Sequence, residues 1–220
     1  DETCAGSSLQ RLCDAHRESA LVAPPHHVVD ALHPFKWGDF DEQVMPVIEV
    51  FQDFRGSCEK PWAAGVSHML HVEQGPWCDT ELLSGKRFGF IGGADHGGVA
   101  RAGVLTRGLT REALYEAFTA RRCFATTGIA LAIDFTFNGE PMGSAVEATE
   151  GEFSLGISCP EEIHAVQIVH NGQEEDQLAV RATTFRHSWT TKRRRHGEFW
   201  YCRILMASGE LAWTSPIWID

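Results

Sequence analysis

Five residues in the first half of the chain carry metal-ligand chemistry at suggestive places: His26, His27, Glu49, Asp95 and His96. Imidazole nitrogens and carboxylate oxygens are the usual donors to Zn²⁺, Mn²⁺ or Fe²⁺. A divalent transition metal held by them would lower the pKa of a bound water towards about 7 and supply hydroxide at neutral pH. All five are expected as ligands, and Asp95 and His96 as the catalytic pair. Glycines on both sides of Asp95-His96 allow tight turns and close approach of a ligand. Each signal has a plainer reading. A His pair after an apolar run is commonly a packing feature, and an Asp-His dipeptide is frequent. Glu49 weighs more, because a carboxylate inside an apolar run needs a partner. His33, His68 and His71 have no such context, and the last two read as a surface pair.

These residues need elements to position them. Ser8 to Glu18 has helical spacing, with Leu9, Leu12, Cys13 and His16 recurring on one face. Ala20 to Ala23 is a short apolar run stopped by Pro24-Pro25, and it reads as a buried strand ending at His26-His27. Val47 to Phe51 reads as a second strand, containing Glu49. Arg87 to Gly93 reads as a third, ending at Asp95-His96. Thr110 caps a helix running to about Arg122, with Leu114, Ala117 and Phe118 on its apolar face. In parallel α/β folds the site lies in loops after strand C-termini, and this is where the candidates fall.

Near Gly128 the pattern changes. Leu131 to Phe137 alternates and is followed by the turn Asn138-Gly139. Glu152 to Ser158, Ala165 to Val169, Phe199 to Met206 and Leu211 to Ile219 read as further strands, with turns at His170-Asn171-Gly172 and Ser208-Gly209. The expected fold is therefore α/β over residues 1–128, then a small antiparallel β-sandwich over 129–220.

The chain has 220 residues, 43% hydrophobic and 22% charged, with a formal net charge of −11. Such a balance disfavours nucleic acid, whose phosphates it would repel. The basic run Lys192 to His196 reads as a solvated loop. No apolar run is long enough to span a membrane. Seven cysteines without CxxC spacing read as reduced, buried thiols and suggest a cytoplasmic protein. The expected partner is a small-molecule substrate.

The block Arg87 to Gly128, RFGFIGGADHGGVARAGVLTRGLTREALYEAFTARRCFATTG, resembles the carbaryl-hydrolase-like branch of the PHP (polymerase and histidinol phosphatase) superfamily. Val22 to His27, Pro46 to Phe51, Arg55 to Glu59 and Ala212 to Ile219 resemble other parts of that family. The resemblance implies part of a β/α barrel, a cluster of two or three metal ions, and hydrolysis of phosphate esters or related bonds. Under it, one or both of His26 and His27 are ligands, Asp95 and His96 match the last metal motif, and Glu49 lines the site as a ligand or supports one. The family's His-x-His opening motif is missing, which implies strands supplied by self-association or by another chain.

Two functions remain in view. One is a metal-dependent hydrolase acting on a phosphoester, carbamate or related ester. The other is a non-catalytic binding or interaction module. A serine nucleophile has no Gly-x-Ser-x-Gly elbow to support it, and Cys58 has no activating neighbour in sequence beyond Arg55.

Overall fold

The computed structural model describes residues 11, 13–15, 18, 22–28, 35–59 and 77–220. Leu9, Leu12, His16, His33, His68, His71 and residues 20–21 lie outside them. Residues 13–15 are helical, in the predicted helix, whereas Val22 and Ala23 have no regular structure. Ala23 instead donates its N–H to the Val44 carbonyl at 2.8 Å.

Three strands form a small sheet: β1 (Val47–Gln52), β2 (Gly56–Ser57) and β3 (Gly89–Gly93). β1 lies in the middle, antiparallel to β2 and parallel to β3. Between β2 and β3 comes the one-turn-and-a-half helix α1 (Cys78–Leu83). β3 leads to β4 (Arg101–Val104), then to α2 (Arg111–Thr119) and β5 (Cys123–Thr126). Thr110 caps α2, its hydroxyl accepting from the Ala113 N–H at 3.2 Å.

The remaining strands are β6 (Ala132–Phe137), β7 (Glu140–Pro141), β8 (Ala145–Val146), β9 (Glu150–His170), β10 (Gln173–Lys192), β11 (Glu198–Met206), β12 (Leu211–Thr214) and β13 (Ile217–Ile219). With β4 and β5 they make a ten-stranded sheet in the order β4-β5-β12-β11-β9-β6-β7, with β10 on β9 and β13 bridging β11 and β8. Pairing of β5 with β12 carries this sheet across position 128.

The large sheet is curled, and the cause is local. Ser158 pairs with Thr184 and Ile163 with Ala182, so residues 159–162 of β9 face a single residue of β10. Pro160, which has no N–H to give a ladder, sits in that bulge, and Arg181 opposite has a left-handed φ of 55°. The bend brings the ends of β10 together: Arg194, just past its end, is 3.2 Å from Glu175 near its start. Asn138-Gly139 and Asn171-Gly172 each have two successive positive φ values, the geometry of tight hairpin turns. Phe135, Phe153, Trp200 and Ile204 fill the inside of the curl.

The expected α/β barrel segment followed by a separate sandwich is corrected to a nearly all-β fold. Among the described residues the small sheet has one parallel pairing, β1 with β3, and the described helices are too short to layer both faces of a parallel sheet. Apolar runs that suggested parallel strands are apolar because a second sheet covers them. Ile48, Val50, Phe88 and Phe90 pack with Tyr201, Trp213 and Trp218 of the large sheet.

One polar cluster crosses that seam. Glu59, 2% exposed, accepts from the Arg203 guanidinium at 2.7 and 3.1 Å, from the Tyr201 hydroxyl at 2.5 Å and from the Trp213 indole at 2.5 Å. Arg203 also donates to Gln167 at 2.7 Å. Burial alone would push the Glu59 pKa up, but Arg203 and the hydrogen bonds from Arg203, Tyr201 and Trp213 outweigh it and hold the carboxyl below its usual value. A depressed carboxyl stabilises the fold above its unfolded pKa of about 4.3, and the contribution is lost as pH falls through the folded value. We expect urea denaturation to show stability declining below about pH 4 in the parent. Arg203→Leu should cost about 3–5 kcal/mol at pH 7, since it strands a buried charge. A loss under about 1 kcal/mol would show that the pair does not join the sheets.

Candidate metal centre

β1 and β3 run parallel and end side by side, which brings their C-terminal loops together. Asp95 follows β3, Gln52 closes β1, and Asp53 to Arg55 form the turn into β2. The His26-His27 segment lies over these ends. His26 Nε2 and His27 Nε2 each lie 3.6 Å from Asp95 Oδ2. One donor atom from each of the three residues falls within 4.8 Å of the others. A tetrahedral metal with bonds of about 2.0–2.1 Å sets its ligand atoms about 3.4 Å apart, so the two measured edges match such a site closely.

Supporting contacts fix the three donors. His26 Nδ1 is 2.7 Å from Glu49 Oε2. With that nitrogen protonated, the lone pair sits on Nε2, the atom facing Asp95. Carboxylate behind imidazole is the usual way to orient a metal-binding histidine. Asp95, whose side chain is 9% exposed, accepts on Oδ2 from Gln52 Nε2 and Arg55 Nη1, both at 2.7 Å. The Gln52 carbonyl takes the N–H groups of Phe54 and Arg55 at 2.8 and 2.9 Å, so one side chain holds both the turn and the carboxylate. Asp53 Oδ2 accepts from the Ala100 N–H at 2.8 Å and ties down the far end of the Asp95 loop.

Two backbones here are strained. His27 has φ 56° and Asp95 has φ 46°, left-handed values that few non-glycine residues adopt. Strain of this kind persists only where surrounding contacts over-determine it, and it concentrates at functional sites.

The protonation states suit a cation. Desolvation pushes Asp95 up, but the charges of His96, His26 and Arg55 and a hydrogen bond from His27 outweigh it and hold the carboxyl below its usual range. Glu49 is raised, chiefly by burial, against the opposing pull of His26.

The structure thus gathers His26, His27 and Asp95 into one donor set. Glu49 stands behind His26 rather than among the donors. His96 lies at the lip, 95% exposed, with Nε2 3.3 Å from Asp95 Oδ1. Gln52, Asp53 and the seat of Arg55 on Asp95 carried no signal in the sequence: Gln52 is one polar residue at a strand end, and only the fold shows what it faces. A second group, Glu147, His196 and Asp220, also brings donors close together. There Asp220 is already clamped by Arg87 through both oxygens, at 2.6 and 2.8 Å.

No protein-family model matches the chain. The chain is similar to an uncharacterized protein of Chlamydia pneumoniae, 23% identical over 91% of this chain and 38% of that protein. It is also 22% identical to an uncharacterized protein of Chlamydia trachomatis, over 99% of this chain and 41% of the other. A Chlamydia muridarum protein is 26% identical over 53% of this chain and 22% of its own length. The chain therefore spans about two-fifths of the length of the first two relatives. Among solved structures, the CARDB domain of a Pyrococcus furiosus protein, crystallised in complex with di-metal ions, is similar over 42% of this chain and 96% of its own, at 6% identity and TM-score 0.28. An engineered protein is similar over 41% of this chain and 20% of its own, at 12% identity and TM-score 0.29. At those scores neither carries an argument. The resemblance to the PHP superfamily is corrected: no family model supports it, and the strands form a nearly all-β fold rather than a barrel of alternating strands and helices. With it falls the expectation of barrel strands supplied by another chain.

Gly93 offers a direct check on this arrangement. A Cβ there would lie 2.3 Å from the Glu49 carboxyl, so Gly93→Ala must displace that group. We expect the variant to stay folded by circular dichroism and to lose the NMR signature of a His26 Nδ1 proton held by a carboxylate. An unchanged His26 ring resonance would show that Glu49 does not set its orientation.

Proposed function

We propose that His26, His27 and Asp95 hold a divalent transition metal (Zn²⁺, Mn²⁺ or Fe²⁺) and that the site serves hydrolysis by metal-activated water. The observation that carries this reading is the pair of 3.6 Å edges from Asp95 Oδ2 to the two imidazole Nε2 atoms, with Glu49 fixing His26 from behind. Three protein donors leave a coordination position open for water, the pattern of catalytic rather than structural sites. Glu49 and Gln52 then act as positioning residues. Arg55 neutralises Asp95 from the protein side and holds its carboxylate in place. When bound, the metal supplies a Lewis acid and a hydroxide near neutral pH. The substrate class in keeping with that chemistry is a phosphoester, carbamate or related ester. Whatever activity a longer protein has would be shared with elements beyond this chain.

The test is metal content and affinity of the chain, measured beside Asp95→Asn and His27→Ala. Asparagine tolerates a left-handed φ, so Asp95→Asn changes the charge and spares the backbone. We expect near-stoichiometric metal in the parent after loading with Zn²⁺, and loss of most of it in both variants. Glu49→Gln should weaken affinity about 10–100-fold without abolishing it. Equal metal in parent and Asp95→Asn would sink the assignment. Tight metal binding without turnover of p-nitrophenyl phosphate, ester or carbamate would favour a metal-binding module over a hydrolase.

A further inference from the structure

We infer that Cys58 and Cys78 are a disulfide-competent pair, oxidised by exchange with a small-molecule disulfide, that tethers the two ends of residues 59–77. Both side chains are buried and the two thiols share a hydrogen bond. The Cys78 N–H donates to the Cys58 carbonyl at 2.9 Å, a contact that sets the two α-carbons about 5–6 Å apart, within the span a disulfide bridges. The rest of Cys58 is held from the other side: its N–H bonds the Val50 carbonyl at 2.8 Å and its thiol reaches the Glu49 carbonyl at 3.6 Å. Cys78 opens α1 and its thiol lies 3.4 Å from Asp79 Oδ1. The pair therefore joins the end of β2 to the start of α1, next to the Glu59 cluster.

The exchange balances. One protein thiolate attacks a sulfur of the small disulfide and expels the other as a thiolate. The second protein thiolate then attacks the mixed disulfide and expels the remaining small thiol. Two protein thiols are oxidised, the small disulfide is reduced to two thiols, and the two protons pass to the leaving sulfurs. Burial raises both thiols, Cys78 strongly, so in the folded chain exchange is slow and the pair is set as the chain folds.

The full chain would be refolded from denaturant in glutathione buffers spanning reduced to oxidised ratios, then alkylated under denaturing conditions and mapped by mass spectrometry. The expected product has two of the seven thiols protected, in a peptide joining Cys58 to Cys78. Its melting temperature should be higher by about 5 °C, reversed by dithiothreitol. Cys78→Ala should abolish both effects and leave Cys58 alkylatable. Alkylation of all seven thiols after the most oxidising buffer would overturn the inference, and so would linkage of Cys58 or Cys78 to any other cysteine. Because the parent chain is read directly, the result stands even if a variant fails to fold, and metal binding plays no part in it.

Discussion

Everything near the candidate centre rests on one buried carboxylate. Glu59 lies just past β2, in the sheet that carries the site, and its partners Tyr201, Arg203 and Trp213 belong to β11 and β12 of the other sheet. A charge in that position is tolerable only because a guanidinium and two neutral donors satisfy it, and Gln167 takes the next guanidinium nitrogen. Apolar packing of Phe90 against Tyr201 and of Phe51 against Trp213 could accept several slightly different registers. The hydrogen bonds to Glu59 accept one. Ser215 adds a second fixed point, accepting from the Phe90 N–H at 2.8 Å and donating to the Cys123 carbonyl at 2.6 Å.

With the small sheet fixed, the parallel ends of β1 and β3 become a rigid platform. Strain at His27 and Asp95 is sustained by Gln52, Arg55 and Glu49, whose own places follow from the register of β1 on β3. A carboxylate surrounded by an arginine, a glutamine amide and two imidazoles is preorganised: its charge is already localised, and its neighbours need move little when a cation arrives. Gly93 belongs to the same arrangement, since the Glu49 carboxyl occupies the space its side chain would take.

Much of this was legible in the sequence where local chemistry decides. Thr110 gave the start of α2, the Asn-Gly pairs gave two hairpin turns, and the alternation of Phe199 to Met206 gave β11. Glu49 stood out because an apolar run does not carry a carboxylate without reason. Long-range pairing was not legible. Cys159-Pro160 looks like the end of a strand, yet β9 continues through it as a bend, and β10 is too polar to show one apolar face because its surface is largely exposed. Arg203 was a missed signal: an arginine inside an apolar strand calls for a buried carboxylate, and Glu59 is its partner. The short apolar runs before residue 128 suit a parallel barrel and a covered sheet equally well, and only the pairing distinguishes them.

The most direct test of the metal centre is X-ray absorption at the metal edge of the chain loaded with one equivalent of Zn²⁺ or Co²⁺. The account predicts a first shell of nitrogen and oxygen at about 2.0–2.1 Å with the outer-shell scattering of two imidazole rings. A shell without imidazole scattering, or one containing sulfur, would place the metal elsewhere and contradict it.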